Sequence, residues 1–403
     1  QQSPSAQQRS IKHIQHAQAK HVFDPTAKLA IHYKYMFSII FEELNHSHAI
    51  ILEDDMVFSA DFLEYFAATV PLLNDERNAL FCISSWNDYG QNFLTHDEQQ
   101  LLRTDYFPGL GWMLKQSLWM EIRHIFPEDH WDHFMRIDTV SKGRDCIYPD
   151  VSRNYNVGEY GSTMDQHWYN QYLRPMQFHK ESHVAFRELD LSYLQKEIYE
   201  QNLVQMIRDQ AKFVGVFPRD SSRIYQQLNS PESDKYGHVL LIAYHAYHWA
   251  AIANRIGVLE TQRTRHKHVI VIRQHGVTYI FANVRLCPYL QYNEEAKAVL
   301  LELNLKNKDL VIVTGEVGSS CHSACRKQNK QCLEDHFEYV NSCSVLQQYF
   351  QCEGGCLGGV VGEDVPNYVA RNKPGMYQKC LTSEFAPNCG ASHPTTARIC
   401  PCA

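Results

Sequence analysis

Three consecutive acids, Glu53, Asp54 and Asp55, directly follow the apolar run 49–52. Four apolar residues without a polar interruption are typical of a central strand that is covered on both faces. Ligands of open α/β sheets collect at the carboxyl ends of the strands, and hard divalent cations prefer carboxylate oxygens. The triplet is therefore a candidate site for a metal ion that holds a diphosphate. A solvated turn of the same composition is the alternative, and from spacing alone it is the commoner one.

Two further stretches contain residue types that suit a sugar ligand. In 107–112, two glycines let a ligand approach the backbone, and Trp112 offers an apolar face to a sugar ring; a tight turn with a core tryptophan is the alternative. In 131–136, Asp132 lies between aromatic residues. Partial desolvation would raise its pKa, as a general base acting on a sugar hydroxyl requires. A helix-capping aspartate is the alternative there.

The apolar pattern predicts the elements that position these residues. A helix over 29–44 has apolar residues at helical spacing, namely Ile31, Met36, Ile39, Ile40 and Leu44. A helix over 61–73 and a strand over 79–84 follow the strand 49–52, and this alternation predicts an open α/β sheet. The composition of 107–169, rich in Gly, Trp, Asp and Arg in irregular order, predicts a site built mostly from loops.

A second, smaller α/β module is predicted beyond the loop-rich region. Its helices are 189–206 and 244–256, and Gly257 closes the second of them as a left-handed cap. Strands 268–272 and 277–281 form a hairpin around His275 and Gly276. A helix over 294–303 and a strand over 310–313 then lead into a cysteine-rich tail.

Composition excludes several classes of protein. The 403 residues are 44% hydrophobic and 21% charged, as in an ordinary globular protein with more than one core. A formal net charge of −7 argues against nucleic acid or an anionic membrane as a partner. The chain contains no run of about 18 apolar residues and begins with Gln, so we expect it to be an excised portion of a longer protein.

Cysteine is concentrated at one end of the chain. Ten of the thirteen cysteines fall in the last quarter, which indicates an oxidising compartment and a tail stapled by disulfides. Zinc is the alternative, through Cys352 and Cys356 or Cys400 and Cys402, but paired C-x-x-C knuckles are missing from the sequence. The odd total predicts one cysteine, Cys287, that is free or paired outside the chain.

The motifs, in order, resemble those of the inverting β-1,2-N-acetylglucosaminyltransferases. The resemblance covers about residues 10–293 and rests on these segments: 51–55, 85–88, 103–105, 107–112, 131–132, 143–146, 149–153 and Gly158. Leu189–Leu194 and the small module resemble the N-acetylglucosaminyltransferase I branch more than the protein O-mannose branch. The tail resembles, faintly, the Cys-rich end of β-1,6-N-acetylglucosaminyltransferase V.

The resemblance implies a three-part fold. Residues 1–182 would form a GT-A-like, Rossmann-like nucleotide-sugar transferase sheet that lacks its first strand, 183–293 a small second α/β domain, and 294–403 a Cys-rich domain. Because the missing strand and its loop bind uracil and ribose in the family, donor binding by this chain is expected to be weakened. The position after the base is His133, where the N-acetylglucosaminyltransferase I branch has a second acid.

The resemblance also implies a role for individual residues. Asp55 matches the ligand of Mn²⁺, and Glu53 and Asp54 match residues against the sugar and ribose of the donor. Asp132 matches the catalytic base. The remaining matches are His32 against the uridine, Trp131 and Leu110 in the GlcNAc pocket, Ser162 in the loop 161–163 over the donor, and Cys82 and Cys146 as a disulfide.

The implied activity is transfer of GlcNAc from UDP-GlcNAc to O2 of an α-linked mannose of a glycoprotein N-glycan, with inversion and a divalent metal. Transfer to protein O-mannose and non-catalytic carbohydrate binding are the alternatives. The implied location is the Golgi lumen, as part of a type II membrane protein whose N-terminal anchor precedes this chain.

Overall fold

The structure is a computed structural model that describes residues 13–17, 23–159, 165–180, 183–229, 239–306, 310–371, 373–383 and 385–403. The predicted donor loop 161–163, with Ser162, lies outside these residues. Within them, no helix is long and apolar enough to cross a membrane.

The described residues contain both helices and strands, grouped in short runs of each. The helices are α1 Pro25–Ser38, α2 Phe62–Asn74, α3 Gln116–Ile122, α4 Trp131–Met135, α5 Asp138–Ser141, α6 Gln166–Trp168, α7 Lys196–Gln205, α8 Ser221–Asn229, α9 Trp249–Ile256, α10 Glu294–Lys306, α11 Cys321–Arg326 and α12 Cys343–Tyr349. The strands are β1 His48–Ile51, β2 Met56–Phe58, β3 Leu80–Ser84, β4 Leu101–Thr104, β5 Trp112–Lys115, β6 Asp145–Pro149, β7 Asn154–Asn156, β8 Ala211–Phe217, β9 Val239–Tyr244, β10 Val269–Gln274, β11 Val277–Asn283, β12 Val311–Thr314, β13 Cys356–Leu357, β14 Asn367–Val369, β15 Cys380–Leu381 and β16 Thr396–Cys402.

The first sheet is mixed and has the order β1-β5-β3-β6-β4. The pair β3–β6 is parallel, whereas β1–β5, β5–β3 and β6–β4 are antiparallel. Strands β4, β5 and β6 are absent from the predicted elements, and β5 and β6 lie within the region predicted to be mostly loops. The expected mixture of helices and strands is confirmed, but β5 separates the two predicted strands, β1 and β3.

Helix α1 supports this sheet through an aromatic stripe. Asp24 caps the helix by accepting a hydrogen bond from the backbone N–H of Thr26 at 2.8 Å, and Pro25 occupies the first turn, where its missing N–H has no cost. The helix predicted over 29–44 is confirmed, and of its predicted apolar positions Met36 and Ile40 pack, partly buried, against the core. Leu29 and Leu44 are exposed, and the buried residues are Ala30, Tyr33, Phe37 and, just beyond the helix, Phe41.

The second sheet has the order β10-β11-β9-β8 and forms the small module. The predicted hairpin is confirmed, with β10 and β11 paired from Val269 to Gln274. Gly257 caps α9 with a φ of 89°, as predicted. The helix predicted over 189–206 begins only at Lys196, because two short 3₁₀ turns precede α7.

Disulfides staple the cysteine-rich tail around the sheet β12-β16-β14-β15-β13. The disulfide prediction is confirmed, and the zinc alternative is excluded because the ten cysteines are paired with one another. The pairs are Cys321–Cys400, Cys325–Cys402, Cys332–Cys389, Cys343–Cys356 and Cys352–Cys380. Cys287 is a free thiol, and Cys82 is bonded to Cys146 across β3 and β6 with a Cα separation of 4.6 Å.

Candidate active site

The acidic triplet lies where β1 ends and turns into β2. Strand β1 pairs with β5, and β2 pairs with β7, so the turn is held from both sides. Asp54 is exposed and Asp55 is half-buried. The predicted position of the three acids at a strand end is therefore correct.

Tyr33 of α1 joins the triplet to the helix that carries Asp132. Its hydroxyl donates to Oε1 of Glu53 at 3.3 Å, and its ring stacks on Trp131 with a centroid separation of 4.0 Å. Burial, and next the charge of Glu53, raise the pKa of Tyr33 well above its ordinary value, so the phenol stays protonated and can donate. Sequence reasoning missed this residue, although it lies on the aromatic stripe of α1 beside His32.

Negative charges converge on Glu53. Glu53 is exposed at the surface, but the atoms packed around its carboxyl partly desolvate it and raise its pKa, and the charges of Asp55, Asp54 and Asp132 add to the increase. The hydrogen bond from Tyr33 acts in the opposite direction. The strand-end acids and Asp132 thus belong to one electrostatic site, where a cation or the N–H and O–H groups of a ligand would relieve the repulsion.

Asp55 has the features of a metal ligand. Its Oδ1 is buried and has no hydrogen-bond partner among the described residues, while its backbone carbonyl accepts from Val157 N at 2.8 Å. A Cβ on Gly158 would lie 2.3 Å from Oδ2 of Asp55, so only glycine fits there without a shift. A buried carboxylate oxygen without a partner is unfavourable unless a cation or donor completes it, and a divalent cation fits this need.

No group of three or more His, Cys, Asp or Glu side chains that could together hold a metal ion occurs in the part of the chain that the structure describes. A cation at Asp55 would therefore take most of its ligands from phosphate oxygens and water. Divalent cations in nucleotide sites are commonly held in this way, by one or two carboxylates together with the phosphates.

Asp132 is the second residue of the short helix α4. Stacked aromatic rings connect this helix to the strand-end acids. Trp131 is buried between Tyr33 and Trp112, whose ring lies parallel to it at 6.1 Å. The N-cap of α4 is His130, so the helix-capping interpretation of Asp132 is wrong. Oδ2 of Asp132 accepts a hydrogen bond from Arg136, one turn further along, at 2.7 Å.

The expected direction of the pKa shift of Asp132 is also wrong. Burial does raise the pKa, as predicted, but the positive charges of Arg136 and His133 and the hydrogen bonds to the carboxyl outweigh burial, and the pKa lies below the ordinary value. The i, i+4 spacing of Asp132 and Arg136 is visible in the sequence and could have indicated this pair. The side chain is therefore a carboxylate at neutral pH, which is the form that accepts a proton.

The 107–112 stretch is a tight turn with a core tryptophan, as the structural alternative for it predicted. Trp112 is fully buried. The carbonyl of Leu110 accepts from Oγ of Ser84 at 3.2 Å, and that of Gly111 accepts from both the backbone N–H and Oγ of Ser85. The turn thus presents the partly buried Leu110 beside β3.

Replacing Gly111 with Ala should destabilise this turn. Its φ is +55°, and a Cβ would lie 2.5 Å from Oγ of Ser85 and 2.9 Å from Nδ2 of Asn154. We expect the free energy of unfolding, measured by urea titration, to fall by about 1–3 kcal/mol. Gly143→Ala is the control, since Gly143 has a φ of +70° but no other part of the described chain within 4 Å of where its Cβ would lie. Equal losses in the two variants would contradict the role of the contact.

His32 lies on the exposed side of α1, next to Tyr33 in sequence. Its Nδ1 is 3.2 Å from Nδ1 of His16, and desolvation, followed by the charge of His16, lowers its pKa. A neutral imidazole at physiological pH can both donate and accept hydrogen bonds. The donor-binding roles of His32, Glu53, Asp54, Leu110, Trp131 and Ser162 stay predictions.

Comparison of the sequence with known proteins defines the family of the chain. The model described as the GNT-I family matches residues 5–291, and the chain belongs to that family. Residues 292–403, which include the whole disulfide-stapled tail, lie outside the match.

Two relatives indicate the kinds of protein that the chain is similar to. The α-1,3-mannosyl-glycoprotein 2-β-N-acetylglucosaminyltransferase of Arabidopsis thaliana is 35% identical over 259 residues, which are 63% of this chain and 55% of the relative. The α-1,6-mannosylglycoprotein 6-β-N-acetylglucosaminyltransferase A of Mus musculus is 25% identical over 137 residues, which are 30% of this chain and 18% of the relative. The chain thus spans about half the length of the first relative.

Proposed function

We propose that this protein transfers GlcNAc from UDP-GlcNAc to O2 of an α-linked mannose of a glycoprotein N-glycan, with inversion of the anomeric carbon. The observation that carries the proposal is the link that Tyr33 makes between the strand-end acids and the helix of Asp132. Membership of the GNT-I family and the name of the Arabidopsis relative support it.

The acceptor hydroxyl must lose its proton as it attacks the donor. Asp132, held by Arg136 as a carboxylate, would take that proton, and a positioned base of this kind typically contributes about 10²–10⁴ in rate.

We assign the donor to the opposite side of the site. Asp55 would hold Mn²⁺, which when bound supplies positive charge for the departing diphosphate. Glu53 and Asp54 would accept hydrogen bonds from the sugar and ribose hydroxyls, His32 would lie against the uridine, and Trp131, Leu110 and Ser162 would surround the GlcNAc. The raised pKa of Glu53 supports this assignment, because ligand donors or a cation relieve its repulsion from Asp55.

The compartment proposed is the Golgi lumen, with the protein attached to the membrane through an N-terminal anchor of the type II kind. Six disulfides in the described residues support an oxidising compartment. The anchor rests on the resemblance alone.

A transfer assay tests the proposal. The protein, UDP-GlcNAc, Mn²⁺ and a mannose-terminated oligosaccharide should yield a product with a new β-1,2 linkage, measured by mass spectrometry and proton NMR. Omitting Mn²⁺ is the control for the metal, and an O-mannosylated peptide is the competing acceptor. If only the peptide is used, the acceptor is protein O-mannose and not an N-glycan. If the protein binds the oligosaccharide without UDP-dependent turnover, it is a carbohydrate-binding protein and not an enzyme.

A further inference from the structure

A cavity of about 520 Å³ lies where the three parts of the chain meet. Helices α4 and α5 form one wall, the small module contributes Arg263, Arg265 and Asn283, and the tail contributes Glu338 and Phe385. Its volume is within the range of about 300–1,000 Å³ that is usual for ligand sites. The tail is fixed against α5, because Ser344 donates from its hydroxyl to Oδ2 of Asp138 at 2.7 Å.

The cavity begins beside Asp132. His133 and Arg136 line it, and both contact the Asp132 carboxylate, at 3.9 Å and 2.7 Å respectively. A molecule that presents a hydroxyl to Asp132 therefore has the cavity as space for the rest of its structure. The acids that we assign to the donor do not line the cavity, so the two ligands need not compete.

Three guanidinium groups surround the ring of Tyr106, which also lines the cavity. Arg136, Arg263 and Arg265 lie 5.0, 5.6 and 5.8 Å from its centroid. Each is paired with a carboxylate, and the pairs are Arg136–Asp132 at 2.7 Å, Arg263–Asp88 at 2.8 Å and Arg265–Asp105 at 2.9 Å. The lining thus offers N–H donors whose charge is already offset, which favours a neutral polyhydroxyl ligand over an anion.

Two buried polar groups of the lining lack partners among the described residues. Nδ2 of Asn283 can donate and Oε2 of Glu338 can accept, and both side chains are fully buried. The other oxygen of Glu338 accepts from the backbone N–H of Ala246, which holds the carboxylate in place. Sugar hydroxyls both donate and accept hydrogen bonds, so they match such a pair. Burying the two groups without hydrogen-bond partners is unfavourable.

Phe385 completes the lining with an aromatic ring that is 43% exposed. An exposed ring beside polar groups suits a sugar, whose C–H face packs on the aromatic surface while its hydroxyls hydrogen-bond.

We infer that this cavity binds the sugars of the acceptor oligosaccharide that lie beyond the reacting mannose, and that the disulfide-stapled tail is therefore a determinant of acceptor specificity. The inference rests on the proposed function for the identity of the acceptor. It goes beyond that function because Glu338 and Phe385 lie outside the residues matched by the family model.

The test compares Phe385→Ala with wild type on a short and a long acceptor. With saturating donor, the KM for a branched mannose-terminated oligosaccharide should rise about tenfold, equivalent to about 1.4 kcal/mol, while the KM for methyl α-mannoside stays unchanged. Tyr377→Ala is the matched control, since Tyr377 is a similarly exposed ring of the tail that does not line the cavity. An equal change for both acceptors, or none for the oligosaccharide, would overturn the inference.

Calorimetric titration of the oligosaccharide into each protein separates the inference from the proposed function. If wild type binds the oligosaccharide and Phe385→Ala weakens binding about tenfold without any turnover by either protein, the cavity assignment holds and the proposed reaction fails. If wild type transfers GlcNAc but both proteins bind the oligosaccharide equally, the reaction holds and the cavity assignment fails.

Discussion

Replacing Asp132 with Asn should lower kcat by about 10²–10⁴ while leaving the affinity for UDP nearly unchanged. Asn keeps the size and hydrogen-bonding reach of the side chain, and its Oδ1 can still accept from Arg136, but it cannot take a proton. The substitution therefore removes stabilisation of the transition state and leaves donor binding intact. Initial rates with saturating donor and Mn²⁺ measure kcat, and calorimetry with UDP measures donor affinity.

The matched control is Asp129→Asn, which makes the same change three residues earlier, outside α4. It should retain wild-type kcat, because Asp129 contacts His130 and takes no part in the proposed reaction. Wild-type kcat in Asp132→Asn would contradict the assignment of the base.

The lowered pKa of Asp132 gives the expected pH profile. A base must be ionised to act, so kcat measured with saturating donor and Mn²⁺ should stay on its plateau as pH falls and decline only below about pH 4, the ordinary value for Asp. Removing the guanidinium in Arg136→Gln should move the acidic limb to higher pH, because the largest of the effects that oppose burial is lost and only those of His133 stay.

Asp55→Ala should reduce Mn²⁺-dependent transfer by at least about 10²-fold, because the variant removes the one protein carboxylate that we assign to the cation. Binding of Mn²⁺ in the presence of UDP, followed by electron paramagnetic resonance, should be lost in parallel. The buried and unpartnered Oδ1 of Asp55 adds a second expectation. Thermal stability without metal should not fall, since no hydrogen bond to that oxygen is removed.

Asp129→Ala is the control for Asp55→Ala and should bind Mn²⁺ and transfer as wild type does. Full Mn²⁺ binding by Asp55→Ala would show that the cation is held elsewhere. A large loss of thermal stability would show that Asp55 is mainly structural.

The sequence predicted individual helices and strands better than it predicted which elements pack or pair with one another. Long periodic segments such as α10 and the β10–β11 hairpin were correct, since their signals are local. Strands β4 and β5 were missed because each has only four residues and ends in a polar one. In and just after α1, the predicted apolar positions Met36 and Ile40 do pack against the core, but the buried Tyr33 and Phe37 were missed, because only tertiary packing shows that the aromatic residues face the sheet.

The candidate site shows the same limit. The order of the motifs indicated the strand-end acids and Asp132. The direction in which the pKa of Asp132 shifts depends, however, on the 2.7 Å hydrogen bond that Arg136 donates to it once α4 has formed. Tyr33 was missed because a single tyrosine on a helix carries no motif. The number of cysteines predicted disulfides in the tail, yet their pairing depends on which strands lie side by side.

Helix α4 packs in a hydrophobic cluster that it shares with the tail. Trp131 and Phe134 lie in the same cluster as Cys343, and Cys356, its disulfide partner, packs against it. Unfolding of the tail would therefore remove part of the support of Asp132, and the two should lose structure together as one cooperative unit. The carboxylate that we propose as the base would then depend on the redox state of the Cys343–Cys356 bond, which takes no part in the proposed reaction.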